Sequence, residues 1–183
     1  MRIQLELNGD RTRVDVEPRD ILADTLREAC GLTSVHLGCE HGSCGACTIE
    51  IDGQVARSCL ILSIAAEGRP VRTLDGLAED PVMQALKQSF HRKHALQCGF
   101  CTPGMLMIAR DMIRRHDRLD EATVREGLAG HICRCTGYVG IVDAILDAHA
   151  SLSDRHADSQ ADNQAGDRAG DRADHHHETR RAG

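Results

Sequence analysis

The sequence predicts an α+β fold in two parts, a small mixed sheet first and a helical half after it. Three observations carry that expectation. Through residue 76, apolar residues alternate with polar ones, the period of a strand with one buried face. From Asp80 the period lengthens, with Val82, Leu86 and Phe90 falling four apart. Past Leu152 the composition collapses into Asp, Arg, Ala, Gly, Gln and His without apolar periodicity. Such a segment cannot bury enough surface to offset its ordering entropy. At 183 residues the chain has room for one ample domain or two small ones. The expected division is 1–76, 77–152 and a disordered polar tail over 153–183.

Ile3, Leu5 and Leu7 alternate with polar residues, Asn8-Gly9 turns the chain, and Val14 and Val16 resume the period, which predicts a hairpin. Asp20 is placed to cap a helix bearing Ile21, Leu22, Leu26 and Ala29, and Gly31 stops it. Thr48 to Ile51 reads as a strand, Asp52-Gly53 as a tight turn and Gln54 to Arg57 as the returning strand. Val71 to Leu74 reads as a last strand. Asp80-Pro81 is a cap with proline at the first helical position, and Thr102-Pro103 repeats the device. The helix that follows is apolar nearly all round at its start, which places it in the middle of a bundle. Glu121 to Leu128 and Val139 to Ala150 complete the helical half.

Composition narrows the function. Aromatic content is 2%, with no Trp, so a stacking platform for single-stranded nucleic acid is not available. A formal net charge of −6 argues equally against a phosphate-backbone partner. The chain opens directly into a strand pattern, with neither a signal-type apolar stretch nor a membrane-spanning run, so a cytoplasmic location is expected. Nine cysteines in that compartment point to metal binding rather than disulfides. Eight form two sets of four, and Cys30 is left over as a plain buried thiol.

Cys39, Cys44 and Cys47 stand in the spacing C-x4-C-x2-C, with Cys59 a short way on, as in a plant-type [2Fe–2S] site. The backbone between them has to curl tightly; Gly38, Gly42 and Gly45 allow positive φ, and Ser43 and Ala46 are small. Amide groups are then free to point at the sulfurs. Glu40 adds negative charge beside Cys39, which disfavours reduction.

Cys98 and Cys101 precede the Thr102-Pro103 helix start, and Cys133 and Cys135 precede the last helix. Free amides and the positive end of the dipole favour thiolates there. The plant-type rule does not supply this spacing, and a second iron–sulfur cluster competes with other readings. A zinc site usually pairs its cysteines two to four residues apart, and C-x-C is cramped for it. A thioredoxin-like dithiol belongs after a strand in a βαβ context. Cys39-Glu40-His41 resembles half of a Rieske motif whose partner is missing. His175-His176-His177 is an adventitious metal tract at most.

Three stretches occur together in order: Gly38 to Thr48 around the first cysteines, Gln97 to Met105, and Cys133 to Tyr138. Together they resemble the iron–sulfur subunit of the molybdenum hydroxylases, the xanthine dehydrogenase and carbon monoxide dehydrogenase family, over about residues 1–150. The resemblance implies a β-grasp ferredoxin-like domain holding one [2Fe–2S] cluster through Cys39, Cys44, Cys47 and Cys59. It implies a four-helix bundle domain holding another through Cys98, Cys101, Cys133 and Cys135. Gln97 and Cys135 match positions that approach the molybdopterin of a large subunit, and the ferredoxin-like cluster lies nearer the FAD of a medium subunit. Electrons would pass from molybdenum through the helical-domain cluster and then the other to FAD.

No Gly-rich dinucleotide loop, phosphate loop or nucleophilic triad is present, as suits an electron-transfer subunit that is not itself catalytic. His36, His41, His91, His94 and His131 are scattered and read as surface or hydrogen-bonding residues. The rival reading is a free-standing ferredoxin-like carrier or redox sensor. The substrate of the holoenzyme is not written in this chain.

Overall fold

Asn8 and Gly9 take φ of +54° and +96°, the left-handed pair a two-residue hairpin turn requires. They join β1 (Arg2–Leu7) to β2 (Asp10–Asp15) in antiparallel register, Ile3 opposite Val14. The structure, a computed structural model, describes residues 1–155. β3 (Thr48–Ile51), β4 (Gln54–Arg57) and β5 (Pro70–Arg72) complete a five-stranded mixed sheet in the order β2-β1-β5-β3-β4, with β1 and β5 parallel. The expected last strand is shorter than Val71 to Leu74, because Leu74 opens a 3-10 turn over Leu74–Leu77.

One helical segment crosses the sheet, α1 (Leu22–Asp24), widening into a π-turn over Thr25–Ala29. Leu22, Ala23 and Leu26 are buried there against Ile3, Leu5, Ile49 and Val71. Asp20 does not cap it. Its carboxylate accepts the Glu17 amide at 2.7 Å, and the Leu22 amide donates to the Ile61 carbonyl at 2.7 Å. A tertiary partner has replaced the cap. Cys30 ends the segment and is half-buried, not fully enclosed.

The helical half holds α2 (Pro81–Arg92), α3 (Thr102–Arg115), α4 (Glu121–Gly127) and α5 over 139–155. Asp80 caps α2 as expected, accepting the Met83 amide at 2.8 Å, and Asp120 caps α4 through Thr123. Thr102 does not cap α3. Cys101 holds the N-cap position, which draws Thr102 into the first turn and leaves its hydroxyl buried without a hydrogen-bond partner. Met83, Leu86, Phe90, Met105, Met107, Ile141 and Ile145 form the helical core. Of the tail expected over 153–183, residues 153–155 are helical instead; residues 156–183, with His175 to His177, lie outside the described residues.

Sheet and helices share one compact unit, Met1–Ala148. α3 covers β3, whose four residues are all buried, Glu50 included. Glu50 accepts from Arg110 at 2.7 Å, and the same guanidinium reaches Asp80 at 2.7 Å. One buried cation thus ties a strand, the cap of α2 and the middle of α3. Among the described residues, no helix is long and apolar enough to cross a membrane.

Candidate metal centres

The first set of cysteines sits in the loop that runs into β3, and Cys59 follows β4. Gly42 and Gly45 take the positive φ expected of them, +87° and +77°, but Gly38 does not; Glu40 takes it instead, at +57°. Gly38 is needed for space, since a Cβ there would lie 3.2 Å from Cys44 Sγ and 3.4 Å from the Phe100 ring. The curl turns amides onto sulfur. The amides of His41, Cys44 and Ser43 face Cys39, Cys44 N at 3.3 Å, and that of Gly42 faces Cys59. Those amides hold the Cys39 thiol down to about 6. Burial, followed by the adjoining Cys47 thiol, pushes Cys59 up to about 11.

The second set comes from two distant segments. Cys98 and Cys135 lie 3.4 Å apart, sulfur to sulfur, on the surface; Cys101 and Cys133 pair more deeply. The Phe100 amide and then Cys135 lower Cys98, while Cys135 is raised, first by its bond to Cys98. Burial, then the neighbouring Cys133, pushes Cys101 up to about 12. Burial also works to raise Cys133, but the Thr136 hydroxyl at 3.1 Å and amide at 3.4 Å outweigh it and draw the thiol down. Gln97 Nε2 donates to the Cys135 carbonyl at 3.1 Å, at the exposed edge of the same site.

In both sets the sulfurs meet two by two: Cys39 with Cys44, Cys47 with Cys59, Cys98 with Cys135, Cys101 with Cys133. Among the described residues no three ligand side chains close on a single point, as they would around one ion. Two pairs of soft donors, edged by amides, suit a two-iron core in which each iron takes two thiolates.

The two sites abut. Ile132 N donates to the Cys44 carbonyl at 2.9 Å, and a Cβ on Gly104 would collide with the Gly45 carbonyl. A Cβ on Gly45 would come within 2.5 Å of the His131 ring. His131 is buried, and burial, then the nearby Arg57 charge, lower its pKa to about 3, so the ring is neutral. The Thr48 hydroxyl gives its one hydrogen to Gly45 O at 2.6 Å, so His131 Nε2 donates to Thr48 at 3.0 Å. Arg57 Nη1 donates to Thr48 Oγ1 at 2.7 Å and Nη2 to Gly130 O at 2.9 Å. Sequence reasoning missed Arg57 and Thr48 and set His131 aside. Nothing joins them in sequence except that each stands within two residues of a cysteine of one set. Of the other histidines, His36 stacks on Phe100 at 4.9 Å and His41 bonds the Cys39 carbonyl.

Two family models match the chain: a 2Fe-2S iron-sulfur cluster binding domain over residues 5–78 and a [2Fe-2S] binding domain over 73–146. The caffeine dehydrogenase subunit gamma of Pseudomonas sp. (strain CBB1) is 49% identical over 78% of this chain and 87% of its own length. The nicotine 6-hydroxylase small subunit of Paenarthrobacter nicotinovorans is 46% identical over 85% and 93% of the two chains. The xanthine dehydrogenase iron-sulfur-binding subunit of Escherichia coli O157:H7 is 43% identical over 79% and 92%. Among solved structures, quinoline 2-oxidoreductase from Pseudomonas putida 86 superposes with a TM-score of 0.79 at 50% identity, covering 85% of this chain and 96% of that one. The paired cysteines, both family models and these full-length likenesses agree: the chain belongs to the [2Fe–2S] small subunits of the molybdenum hydroxylase family.

Proposed function

We propose that Cys39, Cys44, Cys47 and Cys59 hold one [2Fe–2S] cluster and that Cys98, Cys101, Cys133 and Cys135 hold a second. The chain is the electron-transfer subunit of a heteromeric oxidoreductase, relaying electrons from a molybdopterin centre on a large subunit to FAD on a medium subunit. The clusters supply one-electron storage. The chain's own residues position the sulfurs, bury the inner pairs and aim N–H groups at the rest, which disperses negative charge. Residues 1–76 are assigned as a β-grasp ferredoxin-like domain and 77–152 as a four-helix bundle domain, a boundary supported by the change of family model near residue 75. The site of action is the cytoplasm.

The observation that carries this reading is the pairwise meeting of all eight sulfurs. Exposed apolar residues beside the cysteines, Leu60 and Leu62 near the first set and Leu96, Phe100, Ile132 and Val139 near the second, support a subunit that is covered by partners over a carrier that diffuses alone. Gln97 and exposed Cys135 are assigned to the face that meets the pterin. The purified chain should carry about four iron and about four labile sulfide, as two two-iron cores require. A single core, or zinc in its place, would overturn the assignment. Molybdopterin- and FAD-bearing chains should co-purify with it.

A further inference from the structure

The buried arginine Arg110 is matched by two carboxylates, Glu50 and Asp80. Among the described residues no carboxylate is paired with the half-buried Arg57. Its partners among those residues are the Thr48 hydroxyl, the Gly130 carbonyl and His131 Nδ1, the ring's acceptor nitrogen, 3.4 Å from Nη2. Its Nε is buried and makes no hydrogen bond. A guanidinium partly withdrawn from water with no counter-charge is costly, and such cations are normally paired. The position of this one supplies the missing partner. Thr48 adjoins Cys47, Arg57 stands two residues before Cys59, and Gly130 and His131 lead into Cys133. The guanidinium therefore lies in the seam where the two cysteine loops touch, across from the Ile132-to-Cys44 hydrogen bond.

We propose that Arg57 is the shared counter-cation of the two centres, raising the reduction potential of both. This rests on the assignment of a [2Fe–2S] core to each quartet. Such a core, held by four thiolates, is anionic when oxidised. Reduction adds one electron, taken from the reductant, with no bond made or broken, so negative charge grows on one side of the seam or the other. A fixed cation between the two stabilises the reduced form of each, and in a half-buried setting its effect is weakly screened. It acts through space and touches no reacting atom, which makes it a positioning and tuning residue.

The test is a dithionite titration of the full chain followed by EPR, on wild type, Arg57→Gln and Arg57→Lys, after iron and sulfide have been measured. Arg57→Gln should keep both signals and lower the equilibrium constant for reduction at each by about three- to tenfold, tenfold being about 59 mV for one electron. Arg57→Lys, which keeps the charge and gives up the fork, should restore most of that loss. Unchanged potentials in Arg57→Gln would overturn the proposal, as would a shift at one centre only. A fall in Arg57→Lys equal to that in Arg57→Gln would overturn it too, because the fork alone would then explain the effect. If Arg57→Gln takes up no iron, Arg57→Lys decides: near-native potentials support the proposal and a comparable fall sinks it. If neither variant loads, Arg57 is a strut and the proposal is wrong. Wild-type chain without two two-iron cores would instead overturn the assignment of the clusters itself.

Discussion

The two cysteine sets reach the same chemistry by opposite routes. The first is nearly local: three of its thiols stand on one curled loop, and that loop's own amides surround the Cys39 sulfur. The second brings together residues 37 apart in sequence, Cys98 and Cys135, at the starts of two helices that only tertiary packing holds side by side. The local site is prepared by its backbone. The distant one is prepared by whatever fixes α3 and α5, and so depends on the stability of the whole helical half. Each set also has one deep and one shallower pair, with Cys47 and Cys59 buried in the first while Cys98 and Cys135 are exposed in the second.

The largest expected effect tests whether the sites are separable. Cys135→Ser should remove the second centre outright, taking iron from about four to about two per chain, and leave the EPR signal of the first intact. Loss of both signals together would break the comparison, because the seam would then be one cooperative site.

The next effect sharpens it. Arg110→Met leaves the buried Glu50 with only the half-exposed Arg114, 3.2 Å away, and takes the main partner from Asp80; breaking a buried pair by removing one partner costs about 3–5 kcal/mol. In urea the second centre should bleach at distinctly lower concentration than in wild type, with the first trailing behind it. Equal shifts at the two centres would show that the first is no more self-sufficient than the second.

A smaller effect has a sign set by pH. Burial tends to raise the Asp80 pKa, but the hydrogen bond from Arg110 and that from the Met83 amide prevail and hold it below the ordinary aspartate range. A carboxylate with a depressed folded pKa contributes stability that is present above the unfolded value and is lost as pH falls through the folded one. The urea midpoint of the second centre should therefore drop as pH is lowered through the carboxylate range. Asp80→Asn, which can still cap α2, should start lower and vary less with pH there.

What was legible in the sequence follows the same division. Asn8-Gly9, Asp52-Gly53 and Asp80-Pro81 sit where their local chemistry places them; the sulfurs of both cysteine sets meet in pairs, though only the first set's spacing pointed to a cluster by itself. The misreadings fall where a distant group replaced a local one. Asp20 lost its cap because Ile61 supplies the acceptor, and Thr102 moved inside α3 because Cys101 took the N-cap position. Arg110 with Glu50, 60 residues apart, and Arg57 with His131, 74 apart, leave no periodic trace. Their meaning exists only once α3 lies on β3 and the two loops touch.

The smallest expected effect guards the count on which the comparison stands. Cys30 is a ninth thiol of the same kind, half-buried against the sheet core, and burial raises its pKa as it would for any enclosed thiol. No amide is turned onto it as onto Cys39, and it lies at the end of the π-turn, outside both cysteine loops. Cys30→Ala removes one sulfur from a partly open position and should cost less than about 1 kcal/mol. Iron, sulfide and both EPR signals should stay at wild-type values. A loss of iron would mean that one set draws on Cys30 in place of a thiol assigned above, and the contrast between a local and an assembled site would have to be redrawn from that residue outward.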